Sequence, residues 1–105
     1  MSTAAMRVLV VEDNPINRDL LEYLLRALGF ATTSAVDGLA GLEAAQRERP
    51  DLILCDIHMP GIDGIEFARR IKADPALAGT PLVAVTALAM VGDRERILAA
   101  GFDGY

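Results

Sequence analysis

Val8-Leu9-Val10-Val11-Glu12-Asp13-Asn14-Pro15 and its counterpart Asp51-Leu52-Ile53-Leu54-Cys55-Asp56 decide the fold. Each is a short, β-branched or aliphatic run that ends in acid. A continuous apolar run of that length reads as a strand buried on both faces, the habit of a parallel sheet. Directly after the first run, Asn14-Pro15 supplies an N-cap and a proline at the first helical position. Ile16, Leu20, Leu21, Leu24, Leu25 and Leu28 then recur at helical spacing until Gly29 stops the helix. A strand over Arg7 to Val11 therefore feeds a helix.

The same alternation continues to the end. Ala31 to Ala35 reads as a weak second strand, and Asp37-Gly38 as a turn. Leu39, Leu42, Ala45 and Gln46 predict a second helix that finishes before Pro50. Asp51 to Cys55 is the third strand, followed by a loop from Asp56 to Ile62 carrying Met59-Pro60-Gly61. Asp63 with Glu66 resembles a capping box and opens a helix with Ile65, Phe67, Ala68 and Ile71 inward. Asp74 to Pro81 connects to a fourth strand, Leu82 to Thr86. Met90 to Ala100 is a fourth helix closed by Gly101, and Phe102 to Tyr105 begins a fifth strand. Connections this short allow only right-handed crossovers onto a parallel sheet, an α/β doubly wound fold.

Ligands of such sheets bind outside the carboxyl ends of the strands, where Glu12, Asp13, Asp56 and Thr86 all fall. If the first and third strands are neighbours, three carboxylates meet at one edge. Like charges that close do not all stay ionised without a cation. A hard divalent ion is the remedy, and Mg²⁺ suits because it binds through one or two carboxylates and keeps several waters. One carboxylate is then left for chemistry.

Composition narrows the classes of function. Apolar residues make up 52% of the 105, enough for a buried core in one domain spanning 1–105. Ten basic residues against fifteen acidic ones give a net charge of −5, so direct nucleic-acid binding is not expected. No apolar run approaches the ~20 residues of a membrane span, and the start has no signal-peptide pattern, so the expected location is cytoplasmic. Cys55, the lone cysteine, reads as a small buried hydrophobe.

These residues carry a resemblance. Val8 to Asn14, Asp51 to Gly64 and Pro81-Leu82-Val83-Ala84-Val85-Thr86-Ala87 resemble, in order and spacing, the receiver domain of bacterial two-component response regulators. Glu12-Asp13-Asn14-Pro15-Ile16-Asn17-Arg18 is most similar to single-domain receivers and those of hybrid histidine kinases. The resemblance implies a flavodoxin-like five-stranded sheet of order 2-1-3-4-5. It makes Asp56 the phosphoryl acceptor, Thr86 the residue that contacts the phosphoryl group and senses it, and Tyr105 the switch aromatic. Asp13, Asp56 and the backbone carbonyl of His58 would coordinate Mg²⁺, with Glu12 acting through a metal-bound water. It further implies a histidine kinase or histidine phosphotransfer protein as donor, a downstream protein target, and no enzymatic activity beyond assisting its own modification.

The departure from the family pattern is at the end. The family's lysine beyond the switch aromatic, and its fifth helix, lie past Tyr105, so the last strand is expected to be incomplete and the fifth helix absent. Lys72, the single lysine, belongs to the third helix and does not replace the missing one. Either the sequence is part of a longer protein, or it is truncated, and in the second case homodimerisation through the open C-terminal edge is expected. The rival function is a pseudo-receiver or truncated receiver, an interaction module independent of phosphorylation. Enzymes of similar fold fare worse, since a dehalogenase-like phosphatase wants an acid where His58 stands and a flavodoxin wants a phosphate loop where Glu12-Asp13-Asn14-Pro15 stands.

Overall fold

The computed structural model describes residues 5–59, 61–85 and 93–104. Its elements are β1 (Arg7–Val11), α1 (Pro15–Ala27), β2 (Ala31–Ala35), α2 (Gly38–Glu48), β3 (Leu52–Asp56), α3 (Gly64–Ala73), β4 (Leu82–Val85) and α4 (Asp93–Ala100). The strands pair in the order β2-β1-β3-β4, every pair parallel. The alternation expected from the sequence is therefore the alternation found. Described boundaries moved by a residue or so, as when β3 takes in Asp56 and leaves out Asp51. The expected strand end at Thr86 and helix start at Met90 lie outside the described residues.

Along each strand, side chains alternate between the two faces of the sheet. Leu9, Val11, Ile53, Cys55, Leu82 and Ala84 form one face, and all are buried. Onto them pack Ala44 and Ala45 of α2, Phe67, Ala68 and Ile71 of α3, and Ile97 and Ala100 of α4, giving one contiguous core. The opposite face is covered less. Val8 and Val10 are buried, whereas Leu52, Leu54, Val83 and Val85 are only half-buried. Helices thus flank both faces, but unequally.

Helix α1 shows that inequality most plainly. Helical spacing assigned Ile16, Leu20, Leu24 and Leu28 to an apolar stripe, yet they are 77%, 54%, 48% and 74% exposed. No residue of α1 is buried; among its apolar residues only Leu21 and Leu25 are half-buried, as are the polar Arg18 and Glu22. The stripe is wider than β1 and β2 alone can cover.

The fifth strand is present as its first pairing. Gly104 bridges Val83 in parallel, Ala84 N–H donates to the Gly104 carbonyl at 2.8 Å, and Asp103 N–H donates to the Leu82 carbonyl at 2.7 Å. Asp103 also accepts from Leu82 N–H at 2.8 Å and from Lys72 Nζ at 3.2 Å. The Leu82 amide, helped by Lys72, holds the Asp103 carboxyl below its ordinary value. Lys72 donates to the Ala78 carbonyl as well, at 3.2 Å. The lone lysine is thereby tied to the start of β4, at the end of the sheet away from the acidic residues.

Core spacing depends on one glycine in α2. A Cβ built at Gly41 would lie 2.9 Å from Phe67 Cε1 and 2.9 Å from Val11 Cγ2, both in fully buried side chains. Elsewhere in a helix, Gly→Ala gains about 1 kcal/mol of propensity. Here the overlap costs about 1–3 kcal/mol, because buried neighbours cannot swing aside. Gly41→Ala is predicted to lower the unfolding free energy by about 1 kcal/mol in urea denaturation, and a gain in stability would contradict this packing account.

Candidate acidic site

The strand register builds the site. Val11 pairs with Cys55, so one step farther Glu12 falls level with Asp56 at the carboxyl edge of the sheet. Glu12 N–H still donates to the Ala35 carbonyl at 3.0 Å, which extends the β1–β2 ladder past the last strand residue. Glu12, Asp13 and Asp56 each place one carboxylate oxygen within 4.8 Å of the others. Glu12 is buried at 3% exposure, while Asp13 and Asp56 are half-buried. Three oxygen donors at that spacing match the ligand chemistry of a hard divalent cation.

Local turns fix the acids in place. Asn14 caps α1, its Oδ1 accepting from Ile16 N–H at 2.9 Å and Asn17 N–H at 3.1 Å. Asp56 Oδ1 accepts from the His58 backbone N–H at 3.1 Å, an Asx-type turn that sets the direction of the carboxylate. Asp63 caps α3 by accepting from Glu66 N–H at 2.9 Å, as the capping-box spacing predicts. Gly64 N–H donates to the Ile57 carbonyl at 3.0 Å, which draws the start of α3 against the loop after β3. A Cβ at Gly64 would overlap the Asp56 carbonyl oxygen and lie 2.7 Å from Ile57 Cα, both backbone atoms. Only glycine permits that approach.

Of the residues singled out from sequence, Glu12, Asp13, Asp56 and His58 are brought together. The His58 side chain is exposed and its backbone is the part engaged. Thr86 and Tyr105 lie outside the described residues, as does Pro60. Sequence reading gave Asn17 and Arg18 no part in the site, yet both reach back to it. Asn17 Nδ2 donates to Glu12 Oε1 at 3.1 Å, and Arg18 Nη1 donates to the Glu12 carbonyl at 3.0 Å. The available signal was their position in the first turn of a helix that starts directly after an acid pair.

Electrostatics follow from this crowding. Burial, then a hydrogen bond shared with Asp56, raises the Glu12 carboxyl from its ordinary 4.5 to about 7; the Asn17 amide opposes the rise, and the charges of Asp56 and Asp13 add to it. Burial also pushes the neighbouring Cys55 thiol well above its ordinary range, as expected of an inert core cysteine. The ion pairs Arg26–Glu22, Arg70–Glu66 and Lys72–Asp103 lie elsewhere on the molecule.

The raised Glu12 value has a consequence for metal-free stability. Below pH 4.5 the carboxyl is protonated in both folded and unfolded chains. Between 4.5 and about 7 only the unfolded chain gives up its proton, so rising pH favours unfolding. Above 7 both are ionised and the loss is complete, on the order of 3 kcal/mol. Urea denaturation without metal is predicted to show stability falling across that window and a flatter profile in Glu12→Gln. Equal slopes in the two proteins would contradict the burial argument.

Comparison with known proteins agrees with this geometry. The family profile described as the response regulator receiver domain matches residues 8–105. The polar-differentiation response regulator DivK of Brucella anthropi is 44% identical over 98 residues, covering 93% of this chain and 80% of that protein. Among solved structures, the receiver domain of a sensor histidine kinase from Pseudomonas aeruginosa is 41% identical, with TM-score 0.89 over 97% of this chain and 84% of that one. That structure has a magnesium ion coordinated in its active-site cleft. A Vibrio cholerae chemotaxis protein is 29% identical, with TM-score 0.91 over 96% of this chain and 84% of that one.

Proposed function

The chain belongs to the response regulator receiver domain family, and on that premise we propose that Asp56 accepts a phosphoryl group in a Mg²⁺-dependent reaction that switches protein contacts. The observation that carries the reading is the convergence of Glu12, Asp13 and Asp56 within 4.8 Å at one sheet edge. The three clustered side chains all offer carboxylate oxygens, so the residues present fit Mg²⁺. Asp13, Asp56 and the His58 carbonyl would hold the ion, with Glu12 on a bound water.

A Mg²⁺ ion bound there supplies charge neutralisation for the incoming phosphoryl oxygens. The chain's own part is positioning. The Asx-type turn from His58 N–H holds one Asp56 oxygen, which leaves the other to approach phosphorus. An oxygen of Asp56 forms a bond to phosphorus as the P–N bond of a phosphohistidine breaks, and the imidazole keeps the bonding electron pair. Glu12, too deeply buried to meet a donor protein, is suited to orienting water. Thr86 and Tyr105 take the roles of phosphoryl contact and switch aromatic.

The donor in this reading is a histidine kinase or a histidine phosphotransfer protein, and the output is a downstream protein. The chain acts as a cytoplasmic signalling module, not as an enzyme on external substrates. Among the described residues no helix is long and apolar enough to cross a membrane, which is compatible with that role. The net charge of −5 likewise favours protein over nucleic-acid partners.

Incubation with acetyl phosphate and Mg²⁺, followed by intact-mass measurement and peptide mapping, tests the reading. The expected result is one phosphoryl group, on Asp56, absent in Asp56→Asn and absent when the metal is chelated. A label on Asp51 or Asp63, or one that forms equally well without Mg²⁺, would overturn it.

A further inference from the structure

We propose that Asn17 and Arg18 form a clamp on Glu12 that sets how strongly the acidic cluster prefers Mg²⁺ over a larger cation. The inference rests on the reading of the cluster as a Mg²⁺-dependent acceptor site. It makes Asn17 and Arg18 positioning residues, since neither needs to touch the ion.

Glu12 is held at three points. Its N–H donates to the Ala35 carbonyl at 3.0 Å, its carbonyl accepts from Arg18 Nη1 at 3.0 Å, and its Oε1 accepts from Asn17 Nδ2 at 3.1 Å. The last two bonds come from consecutive residues of one helical turn. That turn is itself fixed, because Pro15 opens α1 and Asn14 caps it through two backbone amides. The grip of Arg18 on the Glu12 carbonyl orients the peptide that joins Glu12 to Asp13. It therefore sets the direction in which Asp13 leaves the strand. Asn17 limits rotation of the Glu12 carboxylate. One short turn thus aims two of the three acids.

Aim matters unequally to different ions. Mg²⁺ demands near-ideal octahedral geometry at about 2.0–2.1 Å, whereas Ca²⁺ accepts flexible geometry at about 2.3–2.6 Å. Loosening the clamp with Asn17→Ala removes no carboxylate, and any change in the proton held by Glu12 weakens both ions alike, so a selective loss of Mg²⁺ reports lost aim. Partners behind the metal ligands typically control metal affinity by about 10–100-fold. The ratio of Mg²⁺ to Ca²⁺ affinity is the quantity that separates aim from charge.

The test is calorimetric titration of the 105-residue chain with MgCl₂ and, separately, CaCl₂, for the unaltered protein, Asn17→Ala, Arg18→Ala and Arg18→Lys. Thermal melts are recorded in parallel. In each alanine variant Mg²⁺ binding should weaken about tenfold and Ca²⁺ binding less than about threefold. Arg18→Lys should recover most of the unaltered ratio, because an ammonium can donate to the same carbonyl. An unchanged ratio in both alanine variants, with lowered melting temperatures, would reduce the pair to a structural role and overturn the clamp alone. Failure of the unaltered chain to bind Mg²⁺ would overturn the functional reading and the clamp with it.

Discussion

Repulsion among Glu12, Asp13 and Asp56 is the constraint around which this molecule is organised. At separations up to 4.8 Å and an effective dielectric of about 20, each ionised pair repels by roughly 3 kcal/mol or more. The hydrogen bond that Asn17 offers Glu12 returns about 1.5–3 kcal/mol, too little to offset more than one pair. The cluster must therefore hold a proton or a cation. Burial first, and then the hydrogen bond and charge of Asp56 and the charge of Asp13, raise the Glu12 carboxyl to about 7, which favours the proton. A carboxylate site that takes up a proton near neutral pH couples cation binding to proton release.

Such a cluster persists only if the scaffold beneath it is stiff. Buried β1 and β3, paired from Val8–Leu52 to Val11–Cys55, supply that stiffness and fix Glu12 level with Asp56. Gly41 lets α2 close against Val11 and Phe67, and Gly64 lets α3 close against the loop after β3. Stability lies in the core face of the sheet, and the strained electrostatics lie at its edge. The exposed stripe of α1 adds little buried core, and that helix serves the site through the polar residues of its first turn.

Much of this was legible in the sequence because the signals were local. Strand runs ending in acid, Asn14-Pro15 as a helix start and Asp63 with Glu66 as a capping box each map onto observed elements. The acid cluster was legible on the condition that β1 and β3 are neighbours, an order the family resemblance implied and the strand pairing shows. The burial of α1 was not, since periodicity gives the width of an apolar stripe and says nothing of what covers it. The clamp by Asn17 and Arg18 was missed for a related reason. A polar residue in a first turn is usually solvated, and only the fold brings the Glu12 carboxylate and carbonyl within its reach.

Thermal unfolding near pH 8 of the unaltered chain and Asp13→Asn, each with and without saturating Mg²⁺, tests the central claim most directly. Without metal, Asp13→Asn should melt higher, because one repulsive charge is gone. Saturating Mg²⁺ should raise the unaltered chain by about 5 °C or more and leave Asp13→Asn nearly unmoved. Four equal melting temperatures would contradict the account, since they would mean that the three carboxylates neither strain the fold nor hold the ion.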